Sequence, residues 1–155
     1  MGIAMGSATA EYNLRLNGAE FDVPLVIGGL SKSTERKLEA GYRLALDRLR
    51  SVDSCRSLFA ELGADGVEML STTIYLPPAS DRQRQICARG FPAFTFIGAS
   101  QTRICDRFGR LSRHAAAISL VHEALHHAGL GEWPLTADGL TPHQINRLVA
   151  RSCRL

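Results

Sequence analysis

Ser112-Arg113-His114-Ala115-Ala116-Ala117-Ile118-Ser119-Leu120-Val121-His122-Glu123-Ala124-Leu125-His126-His127-Ala128-Gly129 is the longest helical pattern in the chain. Ile118, Val121 and Leu125 recur at helical spacing, Ser112 can cap the start and Gly129 stops the run. His122 and His126 stand four residues apart, so they share one face a turn apart and can reach the same metal ion. Neutral imidazole is a good zinc ligand, and two on a rigid helix are partly arranged in advance. Glu123 lies beside His122 and need not bind the metal. It can take a proton from a water whose pKa zinc lowers towards ~7. The pattern therefore predicts His122 and His126 as metal ligands, Glu123 as the catalytic base, and amide hydrolysis as the chemistry.

Downstream, the loop Gly129 to Leu140 leads to Thr141-Pro142-His143-Gln144. A capping Thr, a Pro at the first helical position and a Gln three after the cap predict a helix with Ile145, Leu148 and Val149 inward. Upstream, Leu38, Tyr42, Ala45 and Leu49 predict a helix over about Ser33 to Leu49, capped by Ser31 or Ser33. A shorter helix from about Asp53 carries Cys55, Leu58, Phe59 and Leu62 and stops at Gly63 and Asp65-Gly66. Thr72 to Leu76 reads as a strand closed by Pro77-Pro78, and Ala79 to Gln85 as a surface loop. Ala93 to Ile97 and Gln101 to Cys105 read as a hairpin about Gly98-Ala99-Ser100. Residues 1–20 form an arm in which Tyr12, Leu14 and Leu16 alternate before an Asn17-Gly18 turn, with Val23 to Ile27 as the return strand. The fold class is α+β, with residues 21–155 as one domain.

Composition narrows the function. With 155 residues, 45% of them hydrophobic and 21% charged, the chain suits one globular domain rather than disorder. No apolar run approaches the roughly 20 residues of a membrane-spanning helix. The net charge of +3 comes from sixteen arginines and only two lysines, Lys32 and Lys37, scattered from Arg15 to Arg154 with few aromatics. A nucleic-acid partner is not expected from so dispersed a charge. Cys55, Cys87, Cys105 and Cys153 form no C-x-x-C pair, and an even, dispersed set predicts two disulfides in a secreted or periplasmic protein. Three pairings are possible; the hairpin favours Cys87 with Cys105, leaving Cys55 with Cys153. Met1 to Ala10 lacks the basic start and apolar core of an intact signal peptide, so it reads as a mature start or as residues foreign to the domain, and export is inferred from the cysteines.

The full run His122-Glu123-Ala124-Leu125-His126-His127-Ala128-Gly129-Leu130-Gly131-Glu132 resembles the extended H-E-x-x-H-x-x-G-x-x-H/D motif of the metzincin branch of zincin peptidases. Over residues 112–153 it also looks like a group of small bacterial zincin-like proteins with H-E-A-L-H-x-x-G-L-G-E; Cys55, Phe94-Thr95-Phe96 and Cys105 extend the likeness more weakly. The resemblance implies a compact zincin-like domain with a few-stranded antiparallel or mixed sheet, a long active-site helix and a C-terminal helix. It places Glu132 as the third zinc ligand and Gly129 at the turn that brings the chain back. Two His and one Glu leave an open position for water. Met1, Met5 and Met69 all precede the helix, so the methionine turn of metzincins is missing and the likeness is to the broader zincin group. Rival third ligands are His143, on the following helix, and Asp138. His127 points about 100° away from His126 and reads as supporting or surface, and His114 as structural. In zincins an edge strand holds the substrate; Phe94 to Ile97 or Gln101 to Cys105 are the candidates. Tyr75 and Arg103 are candidate oxyanion donors.

The expected function is a zinc metallopeptidase acting on a peptide or protein substrate. The alternatives are a catalytically inactive zincin scaffold with a structural metal, and a metal-dependent hydrolase of a non-peptide substrate.

Overall fold

The computed structural model describes residues 15–17 and 25–155. Helices α1 (Lys32–Ser51), α2 (Asp53–Ala60), α3 (Gly66–Ser71), α4 (Asp81–Ala88), α5 (Arg113–His127) and α6 (Pro142–Cys153) accompany strands β1 (Arg15–Asn17), β2 (Leu25–Ile27), β3 (Ile74–Leu76), β4 (Ala93–Thr95) and β5 (Gln101–Ile104). The sheet order is β1-β2-β3-β5-β4. β2, β3 and β5 run parallel, and the two outer strands β1 and β4 run antiparallel to their neighbours. The sheet is therefore mixed, within an α+β fold.

Local signals account for most of these elements. Ser31 caps α1 by accepting from the Thr34 N–H, and Leu38, Tyr42, Ala45 and Leu49 are all buried. Ser112 caps α5 by accepting from the Ala115 N–H. At the start of α6, Thr141 and Gln144 close a reciprocal capping box with Pro142 at the first turn. β1 pairs with β2 as the arm requires, but Asn17, read as part of the turn, lies in β1 opposite Leu25; Tyr12, Leu14, Gly18 and Val23 lie outside the described residues.

Three segments depart from the sequence reading. Residues 81–88 form α4, where Ala79 to Gln85 had the sequence character of a surface loop. Ser80 caps it, and no residue of it is buried, so no apolar periodicity announced it. Asp65-Gly66, read as a stop, instead opens α3, with Asp65 accepting from the Glu68 N–H at 2.8 Å. Gly66 is required by packing, since a Cβ there would come within 2.6 Å of Leu49 and 2.7 Å of Phe59. The predicted strand 93–97 also ends early, at Thr95.

The sheet presents Leu25, Ile27, Tyr75, Ala93 and Ile104 to the helices, where they join Leu38, Tyr42, Phe59, Phe108, Leu120 and Val121 in one core. α1 and α5 cross closely: a Cβ on Gly41 would lie 2.8 Å from the Ala116 Cβ. This crossing sets α5 against the sheet. Disulfides Cys55–Cys153 and Cys87–Cys105 form as favoured, the first tying α2 to α6 and the second tying α4 to the end of β5. Both are compatible with an oxidising compartment. Among the described residues, no helix is long and apolar enough to cross a membrane.

Candidate metal centre

α5 is buried along most of its length, including His122, Glu123 and His126 at 6%, 5% and 3% exposure. Polar side chains in such a place need partners. The Nε2 atoms of His122 and His126 lie 3.0 Å apart, with Glu132 Oε1 3.2 Å from the first and 3.4 Å from the second. These three residues form a group that could hold a metal ion. An ion about 2.0–2.2 Å from each ligand with tetrahedral angles would set the ligand atoms roughly 3.3–3.6 Å apart, close to this triangle.

Glu132 reaches the helix because α5 ends in a Schellman turn. Gly129 takes φ +103°, its N–H donates to the His126 carbonyl at 3.0 Å, and the Leu130 N–H donates to the Leu125 carbonyl at 2.9 Å. The reversed chain returns the Leu130 carbonyl to His126 and then delivers Glu132. Beyond it, Trp133 N–H donates to the Leu140 carbonyl and Thr136 N–H to the Glu132 carbonyl, fixing the peptide group that follows Glu132.

The outer nitrogens define the ring protonation. His126 Nδ1 donates to the Leu130 carbonyl at 2.8 Å, and His122 Nδ1 donates to Asn146 Oδ1 at 2.6 Å. Each neutral ring then keeps an Nε2 lone pair directed at the other and at the Glu132 carboxylate. Three acceptors converge, and only a cation or shared protons can reconcile them. Burial works to lower His122 and His126, but the Glu132 hydrogen bonds and the Glu123 charge outweigh it and raise both. Burial likewise works to raise Glu132, yet the two histidines hold it down to about 2.

Glu123 contributes its charge to both rings, while its Oε2 is buried without a hydrogen-bond partner among the described residues. An orphaned buried carboxylate oxygen beside two metal-type histidines fits a site whose bound group supplies the missing donor. The donor set suits zinc.

The other predicted positions fall elsewhere. His143 and Asp138 are exposed and outside the cluster. Asn146, one turn beyond His143, is the residue of α6 that reaches the site, and sequence reading gave it no role; its place beside the inward Ile145 was the available signal. His127 Nδ1 faces the Met69 carbonyl and Thr73 Oγ1, pinning α5 to the end of α3. His114 is exposed in the first turn of α5. The Tyr75 hydroxyl is buried and donates to the Leu70 carbonyl. Arg103 alternates with the buried Thr102 and Ile104, so it lies on the sheet face away from the core, donating to the Pro77 carbonyl and Gln101. Neither is placed as an oxyanion donor. β4, rather than β5, is the outer strand, and the Gly98 N–H just beyond it donates to the His126 carbonyl at 2.8 Å. Compared with protein-family models, curated proteins and solved structures, the chain matches none.

Proposed function

We propose that the protein is an exported zinc metallopeptidase of the zincin type. The observation that carries this reading is the convergence of His122, His126 and Glu132 beside the buried, partnerless carboxylate oxygen of Glu123. Zinc held by His122, His126 and Glu132 would supply Lewis acidity and lower the pKa of a bound water to ~7. Glu123 accepts the water's proton and returns it to the leaving amine, a transfer favoured by its burial next to the reacting position. The three-residue ligand set favours catalysis over a structural metal, which ordinarily takes four protein ligands. An extended peptide is the substrate class that suits an outer strand anchored to a ligand's own carbonyl. The register, with Cys105 N–H on the Pro92 carbonyl, turns the main-chain groups of Ala93 and Thr95 away from β5 towards the outer edge of the sheet, the direction in which such a peptide would pair. Two disulfides support export.

The test is Glu123→Gln. We expect it to keep zinc at wild-type stoichiometry while losing hydrolysis of an unfolded protein substrate by a factor of about 10² or more. Hydrolysis that survives unchanged in this variant rejects the role of Glu123. Purified protein without stoichiometric zinc, and unable to take it up, rejects the centre.

A further inference from the structure

We infer that Asn146 is a positioning residue for the metal centre, through which the docking of the C-terminal helix sets the orientation and tautomer of His122. The inference rests on the zinc centre proposed above. The two histidines are supported differently. His126 is oriented by the Leu130 carbonyl, main chain of the turn that ends its own helix, which no side-chain substitution removes. His122 depends on a side chain from another element, Asn146 Oδ1 at 2.6 Å, the shortest polar contact of the site. Without an acceptor at that point, a buried neutral imidazole gains by moving its proton to Nε2, where Glu132 Oε1 waits at 3.2 Å. That tautomer has no Nε2 lone pair to offer a metal between the two rings.

Asn146 is held in place by the packing of α6. Ile145, Val149 and Cys153 are buried, Cys153 is bonded to Cys55, and Ser54 Oγ donates to the Ser152 carbonyl at 2.5 Å. Asn146 itself is exposed on its outer side, so shortening it opens no core cavity, and Ala is the better helix former. Its contribution is therefore separable from folding.

The experiment compares zinc affinity by chelator competition, and the visible spectrum of the cobalt-substituted protein, across wild type, His122→Ala, Asn146→Ala, Asn146→Leu and Asn146→Asp. Asn146→Ala and Asn146→Leu are expected to bind zinc about 10–100-fold more weakly with an altered cobalt spectrum. Their metal-free thermal unfolding should stay near wild type. Asn146→Asp, which keeps an acceptor at the same reach, is expected to recover wild-type affinity to within a few-fold. Wild-type affinity and spectrum in both Asn146→Ala and Asn146→Leu, with binding lost in His122→Ala, would overturn this inference and leave the zinc centre standing. So would a loss that Asn146→Asp does not restore. Failure of the wild type itself to bind zinc would overturn the centre and this inference with it.

Discussion

His122 and His126 present their Nε2 atoms to each other at 3.0 Å, while both Nδ1 atoms donate outward, to Asn146 and to Leu130. With the Glu132 carboxylate completing the triangle, the three side chains form a group that could hold a metal ion, the zinc of the proposed function. Zinc binding should therefore stabilise the fold by linkage. With free zinc at 100 times Kd, the gain is about 2.7 kcal/mol. Thermal unfolding with zinc and with chelator should differ accordingly, and His122→Ala should abolish the difference.

The same arrangement sets a pH dependence. Burial notwithstanding, the mutual hydrogen bonds raise His122 and His126 above 6.5 and lower Glu132 from 4.5 to about 2. Raised histidines stabilise the metal-free fold below pH 6.5 and lose that contribution as pH climbs through their folded values. The depressed Glu132 contributes above 4.5 and loses its contribution as pH falls towards about 2. The site's own stabilisation of the metal-free protein should therefore be greatest between about 4.5 and 6.5. Zinc needs both rings unprotonated at Nε2, so its stabilising shift should be larger at about pH 8 than at about pH 5.5. Equal shifts at the two pH values would contradict the assigned ligands.

Gly129 tests the turn. Nothing lies within 4 Å of a Cβ built there, so Gly129→Ala meets no steric neighbour and suffers only the backbone cost of φ +103°. We expect a loss of about 1–2 kcal/mol by chemical denaturation. Zinc affinity should fall with it, because the turn delivers both the Leu130 carbonyl and Glu132. A variant that loses stability but keeps full affinity would separate the turn from the ligand.

Gly41 tests the crossing of α1 and α5. Ala is ordinarily better than Gly in a helix interior by about 1 kcal/mol. Here the added Cβ would meet the Ala116 Cβ at 2.8 Å and its carbonyl carbon at 3.1 Å, backbone that cannot move without shifting α5. Overpacking of this kind costs about 1–3 kcal/mol and should win. Gly41→Ala is expected to be destabilised, and Ala116→Gly in the same chain should recover part of the loss.

The two disulfides should differ in weight. Cys55–Cys153 closes a separation of 98 residues and Cys87–Cys105 one of 18. Chain-entropy loss in the unfolded state grows with the logarithm of loop length, giving about 4.7 kcal/mol against about 3.2 kcal/mol. Denaturation of the paired Cys→Ser variants should show the larger loss for the first.

Where the chain decides its structure locally, the sequence alone was sufficient. The Ser112 cap and the Gly129 stop bound α5, Thr141-Pro142-His143-Gln144 starts α6, and a spacing of four residues, about one helical turn, puts His122 and His126 on one face. Each follows from hydrogen bonds and sterics within a few residues. α4 escaped this reading because its residues contact little of the core; its cap and its disulfide to Cys105 secure it instead. The packing of α6 settled which of its turns meets the site. His143 and Asn146 are three residues apart on that helix, and only its rotation against α5 brings Asn146 to His122 while His143 faces solvent. Periodicity specifies which stripe of a helix is apolar. Contacts made at a distance along the chain decide which polar residue at the edge of that stripe finds a partner.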